Sequence, residues 1–85
     1  MYEWDEAKRR SNQIKHNVDF IVIGAFDWNT ALINASQHGS ELRFVAIGYI
    51  ETRLHVVVYT QRGDRKRIIS LRKANNRERA RYAKA

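Results

Sequence analysis

With 85 residues and no cysteine, the chain has room for one domain and one core, and disulfides, thiolate metal sites and thiol nucleophiles are excluded. Its 44% hydrophobic and 29% charged residues indicate a globular protein and exclude wholesale disorder. The net charge of +7 is concentrated near the end of the chain, where nine Lys or Arg and one acid lie between Arg65 and Ala85, a pattern that attracts polyanions.

The first segment in chain order, Met1–Glu6, is acidic and does not resemble a signal peptide. No apolar run reaches the roughly 18 to 20 residues that a membrane-spanning helix requires. We therefore expect one domain over residues 1–85, located in the cytoplasm and without membrane contact.

Two helices are predicted next. The first runs from about Asp5 to His16, because apolar or small residues recur there at helical spacing: Trp4, Ala7, Ser11 and Ile14. Asp5 can cap its start, and Asn17, which tolerates a positive φ, stands at its end. Asp19 can cap a second short helix through Phe20 and Phe26, although β-branched residues in this segment also allow a strand.

Strands and a final helix follow. Thr30–Asn34 is a weak strand candidate followed by a loop at Gln37–Ser40, and the stronger candidates are Leu42–Ile50, Leu54–Gln61 and Arg65–Lys73. Short connections at 51–53 and 62–64 predict an antiparallel meander. Asn75 and Glu78 have the spacing of a capping box, which predicts a helix through Ala83. The predicted fold is α+β, with two N-terminal helices, a three- to four-stranded antiparallel sheet and a C-terminal helix.

Regular alternation in the last strand places its side chains on two faces. One face would carry Arg67, Ile69, Leu71 and Lys73, and the other face would carry Lys66, Ile68, Ser70 and Arg72. Because both faces mix charged and apolar residues, we expect helices on one face of the sheet and a polar, concave face open to a ligand.

Five tracts in a fixed order resemble those of a known family. They are Trp4–Lys8 with Asn12, Lys15–Phe20, Glu41–Gly48, Val56–Asp64, and Arg67–Ala74 with Arg77–Arg79. Together they resemble the BrnT-type ribonuclease toxins of bacterial type II toxin-antitoxin modules. That family usually has Gly where this chain has Asn17, and both residues accept a left-handed conformation.

The resemblance implies a compact fold related to the RelE-type toxins. It also implies cleavage of RNA that arrests translation, and a cognate antitoxin that forms a hetero-oligomer with the toxin. The antitoxin would carry a DNA-binding region that represses the shared operon.

RNA carries its own nucleophile, the 2′-hydroxyl, so cleavage requires proton transfer and charge stabilisation at the phosphate but no metal or other cofactor. Arg67 and Arg72 are the candidates for binding the reacting phosphate, although regular alternation would separate them. Lys15, matched to the Lys-His pair of the family, is the candidate for proton transfer or further phosphate stabilisation, but it can also simply complement the end of the helix. Glu78 can act as a base, orient Arg72 or Arg79, or serve only in the capping box.

Further cations are candidates for binding the RNA backbone: Arg62, Lys73, Arg77, Arg79 and Arg81. Those of the final helix can instead dock an acidic segment of the antitoxin. His16 is a possible proton shuttle or helix-end cap, whereas His38 and His55 are expected to be structural or exposed. Tyr59 is expected to pack in the sheet rather than stack on a base.

Three functions remain open from the residues alone. The chain could be an endoribonuclease, a non-catalytic module that binds RNA, ribosome or DNA, or a basic subunit of an acidic protein complex. The resemblance favours the enzyme.

Overall fold

The computed structural model describes residues 1–85 and contains a five-stranded sheet, two α-helices and one 3₁₀ helix. In chain order the elements are β1 (Tyr2–Glu3), α1 (Glu6–His16), the 3₁₀ helix (Phe20–Ala25), β2 (Leu32–His38), β3 (Glu41–Ile50), β4 (Arg53–Arg62), β5 (Arg65–Lys73) and α2 (Asn76–Lys84). The predicted α+β class is confirmed. None of the helices is long and apolar enough to cross a membrane.

The helix ends follow the predicted capping residues. Asp5 accepts hydrogen bonds from the amides of Ala7 and Lys8, and Asn17 ends α1 with φ 58°. Asp19 caps the predicted second helix, which is a 3₁₀ helix, so only one of the two N-terminal helices is an α-helix. Consecutive β-branched residues followed by Gly24 disfavour an α-helix there, and a short 3₁₀ turn is the usual outcome.

The sheet has the strand order β1-β5-β4-β3-β2. Strands β2 to β5 form the predicted antiparallel meander. The fifth strand, β1, was not predicted, because it has two residues and pairs in parallel with β5 at the other end of the sequence. The weak strand predicted at Thr30–Asn34 begins at Leu32 and continues to His38, so the predicted Gln37–Ser40 loop consists of two strand residues and a two-residue turn.

A β-bulge in β5 changes the predicted faces of this strand. Tyr59 of β4 pairs with Ile68, but the preceding Val58 pairs with Ser70, which leaves Ile69 as the extra residue. Arg67 and Arg72 therefore lie on the same face of the sheet, since they pair with Thr60 and Val56. The prediction from regular alternation is wrong, because a bulge depends on the partner strand and leaves no simple pattern in the sequence.

We name the two faces by their β5 residues. The core face carries Ile68 and Leu71, which pack with Phe20 and Ile23 of the 3₁₀ helix. The arginine face carries Arg67 and Arg72. At one end of the arginine face, Tyr82 of α2 covers a smaller apolar cluster of Ile47, Leu54, Val56 and Ala74. The expectation of helices on one face only is therefore wrong.

Helix α1 is attached to the sheet by a polar side chain. Asn12 is 6% exposed; its amide donates to the carbonyl oxygens of Leu71 (2.7 Å) and Val18 (2.8 Å) and accepts from the Leu71 amide (3.2 Å). Strand β1 is too short to reach Leu71, so the backbone N–H and C=O of Leu71 form hydrogen bonds with the Asn12 side chain instead. Ile14, which was predicted to lie on the apolar stripe, is 88% exposed.

Candidate functional site

The arginine face gathers cations from four elements. Arg43 of β3, Arg62 of β4 and Arg67 of β5 surround one shallow pocket together with Lys8 of α1. We call it the arginine pocket; its volume is about 230 Å³, and its lining residues are Lys8, Glu41, Arg43, Thr60, Arg62, Arg67 and Ile69. Because four cations and one acid line it, the pocket suits an anion.

Carboxylates hold two of these arginines. The Nε of Arg43 donates to Glu41 at 2.9 Å, and this hydrogen bond lowers the pKa of Glu41. Arg67 donates from Nη1 to Glu3 of the neighbouring β1 at 2.9 Å. Lys8 and Arg62 form no ion pair within 4.0 Å. The pocket therefore retains uncompensated positive charge.

A second pocket adjoins the first, with Lys8 and Ile69 common to both. We call it the α1 pocket; its volume is about 210 Å³, and its lining residues are Lys8, Ser11, Asn12, Lys15, His16, Ile69 and Ser70. The bulge residue Ile69 lies between the two pockets. The structure thus places the predicted Lys15 and His16 beside the pocket that contains Arg62 and Arg67.

Arg72 and Glu78 form a bidentate ion pair farther along the same face. Arg72 donates from Nη1 and Nη2 to the two carboxylate oxygens of Glu78 at 2.8 and 2.7 Å. These bonds lower the pKa of Glu78 and raise that of Arg72. Glu78 also accepts the amide of Asn75 in the predicted capping box, so two of the roles considered for it coexist.

The remaining predicted residues are more dispersed. Arg77, Arg79 and Arg81 are exposed on α2. Lys73 pairs with His55, so it lies on the core face and away from the two pockets. Lys73 therefore does not share the surface formed by the other predicted strand residues.

Three aromatic or imidazole side chains lie outside the two pockets. His55 is buried beside the Arg53 carbonyl oxygen, and burial lowers its pKa. Tyr59 is buried in the core and stacks on Phe44, as predicted. His38 is exposed at the end of β2. None of the three lines the arginine pocket or the α1 pocket.

Five residues of the arginine pocket were not predicted: Lys8, Glu41, Arg43, Thr60 and Ile69. Lys8 and Lys15 are seven residues apart, two helical turns, so their common side of α1 could have been read from the sequence. The others come together only through the pairing of β3, β4 and β5. No group of three or more His, Cys, Asp or Glu side chains is placed to hold a metal ion.

The chain is similar both to a protein family and to a solved structure. A family model described as the ribonuclease toxin BrnT of a type II toxin-antitoxin system matches residues 4–78. The fold is similar to the crystal structure of the Brucella abortus ribonuclease toxin BrnT, with 28% identity and a TM-score of 0.69, over 89% of this chain and 99% of that chain. No curated protein matches the chain. The family match includes every residue of both pockets, and Arg79 and Arg81 lie beyond it.

Proposed function

This chain belongs to the BrnT family of ribonuclease toxins of type II toxin-antitoxin systems, and we propose that it cleaves RNA on its arginine face without a metal ion. Membership of a type II system implies a cognate antitoxin protein as partner. The observation that supports the proposal is the bulge at Ile69, which puts Arg67 and Arg72 on one face on either side of Ser70, a residue that lines the α1 pocket with Lys15.

The reaction would be attack of the RNA 2′-hydroxyl on its own phosphodiester, with loss of the 5′-oxygen of the next nucleotide. Negative charge builds up on the phosphate oxygens, and guanidinium groups stabilise it while remaining protonated. The β4 partners of Arg67 and Arg72 are four residues apart, roughly 13 Å along the strand. Two long side chains at that spacing can bracket a phosphodiester that lies over Ser70.

Proton transfer is assigned to Lys15. Lys15 lines the α1 pocket with Ser70, beside the position proposed for the phosphodiester. Glu78 is assigned a positioning role, because both its oxygens accept hydrogen bonds from Arg72 and fix the guanidinium plane. Arg62 and the exposed cations of α2 would hold the flanking RNA backbone.

Cleavage itself is tested with purified protein, RNA and EDTA at low salt. We expect products with a 2′,3′-cyclic phosphate and a 5′-hydroxyl, and no cleavage when the 2′-hydroxyl at that position is replaced by hydrogen. Cleavage of the deoxy substrate, or complete inhibition by EDTA, would contradict the mechanism.

A non-catalytic RNA-binding module is the second candidate, and one observation favours it. Both proposed catalytic arginines are paired with carboxylates in the free protein. The Arg72→Ala variant separates the two functions, with Arg10→Ala, on the other side of α1, as the matched control. An enzyme should lose about 100-fold or more in cleavage rate with a smaller loss of RNA affinity. A binding module should lose only affinity.

Translation arrest and neutralisation are tested in cells. Expression of this chain alone is expected to stop growth and protein synthesis, and co-expression of the small gene beside it is expected to restore both. Normal growth with an accumulated, folded chain would contradict the proposed toxicity. An antitoxin that covers α2 would compete with RNA for the same cations.

A further inference from the structure

We propose that the arginine pocket is a subsite for an RNA phosphodiester, in which the buried hydroxyl of Thr60 donates a hydrogen bond to a phosphate oxygen. This inference rests on the proposed function and adds a binding residue to it. The subsite would hold a phosphate next to the one that is cleaved.

Thr60 is the starting observation. It is 4% exposed, and its Oγ1 is the one buried side-chain nitrogen or oxygen without a hydrogen-bond partner. The other buried polar side chains, Asn12 and His55, have partners. A buried hydroxyl without a hydrogen-bond partner destabilises a protein. Valine has nearly the same shape as threonine without the hydroxyl, and it occupies the three β4 positions before Tyr59. The Thr60 hydroxyl therefore has a donor left for a partner outside the free protein.

The surroundings of Thr60 indicate the chemistry of that partner. Thr60 lines the arginine pocket on the same face as Arg62 and Arg67. The side chain of Arg43 is about one-third exposed, so it can shift from Glu41 towards a ligand. A phosphate group offers several acceptor oxygens, which can take guanidinium donors and a hydroxyl donor together.

The connection between the pockets favours a polymer over a free anion. The arginine pocket adjoins the α1 pocket, with Lys8 and Ile69 lining both, and both pockets open to the surface. A single strand of RNA can place successive phosphates in the two pockets, with the reacting one on the α1 side beside Lys15. A small anion would use only one pocket.

The test compares Thr60→Val, Thr60→Ser and the control Thr52→Val, which changes an exposed turn residue. Binding is measured with a 2′-O-methyl RNA oligonucleotide, which cannot supply the attacking hydroxyl. Thr60→Val is expected to weaken binding about 10- to 100-fold, and Thr60→Ser to stay within about threefold of wild type. The Tm of Thr60→Val should equal or exceed that of wild type, because no hydrogen bond is lost in the free protein.

The inference is overturned if Thr60→Val binds the oligonucleotide like wild type, or if its Tm falls in proportion to its loss of binding. Because the probe cannot be cleaved, this result is independent of the proposed reaction. A chain that binds through Thr60 but never cuts RNA would refute only the proposed function. A chain that cuts RNA with no binding contribution from Thr60 would refute only the subsite.

Discussion

Glu78 shows how one side chain can meet two requirements of the fold. Its carboxylate closes the capping box of α2 and also accepts two hydrogen bonds from Arg72 of β5. The side chain is 13% exposed, so the ion pair is partly shielded from water. Glu78 therefore connects the start of α2 to the strand that carries the proposed catalytic arginines.

The variant Glu78→Gln isolates the ion pair, because glutamine also fits the third helical position of a capping box. Arg72 lowers the folded pKa of Glu78, so the stabilisation is fully present above the unfolded pKa of about 4.3 and is lost as pH falls through the folded pKa. We expect a loss of about 1 kcal/mol in the free energy of unfolding at pH 7, and a smaller loss near pH 2.5. Chemical denaturation of the variant and the wild type at both pH values measures this loss. Glu51→Gln, in an exposed turn, is the control, and an equal loss at both pH values would contradict the assignment.

At the scale of elements, the docking of α1 depends on hydrogen bonds more than on an apolar stripe. Asn12 is the one buried residue of this helix, and it satisfies backbone groups of Leu71 and Val18. Lys8, Ser11 and Lys15 on the adjoining turns then face the arginine side of the sheet. The position of the proposed proton-transfer residue is therefore set by an amide side chain.

Asn12→Ala is expected to lower the free energy of unfolding by about 2 to 4 kcal/mol, since it leaves buried donors and acceptors without partners. Its local effect should be faster hydrogen exchange at the Leu71 amide, because this N–H donates a hydrogen bond to the Asn12 side chain in the native fold. Gln13→Ala, at the exposed neighbouring position, should change stability by less than about 0.5 kcal/mol. Unchanged exchange at Leu71 in a folded Asn12→Ala protein would show that α1 is held by other contacts.

For the whole molecule, the distribution of charge determines how RNA would be bound. Cations of β3, β4, β5 and α1 line the pockets, and Arg77, Arg79 and Arg81 extend the basic surface along α2. Phosphate contacts of this kind release counterions, so affinity should fall steeply with salt. The relation to RelE-type toxins, which the sequence resemblance implied, stays a prediction.

Replacing Arg77, Arg79 and Arg81 together by Gln measures the contribution of α2 to RNA binding. If all three contact phosphates, the slope of log affinity against log salt should become less steep by about 2, since each contact contributes about 0.7 for a single strand. Titrations of the 2′-O-methyl oligonucleotide at several salt concentrations measure this slope. An unchanged slope would place RNA elsewhere, and Arg10→Gln on the far side of α1 should have no effect.

The sequence by itself determined the features that depend on neighbouring residues. Local backbone preferences and short turns predicted the limits of β5, the antiparallel meander and the helix caps at Asp5, Asn17, Asp19 and Asn75. The resemblance to a toxin family was carried by the same continuous tracts and was confirmed.

Only the tertiary structure decided which cations share a surface. The pairing of β1 with β5, the bulge at Ile69 and the contact of Asn12 with Leu71 join residues that are distant in the chain or depend on a partner strand. A single extra residue in a strand reverses the face of every side chain after it. That reversal brought Arg67 and Arg72 together, and the register of β3, β4 and β5 added Arg43 and Thr60 to the site.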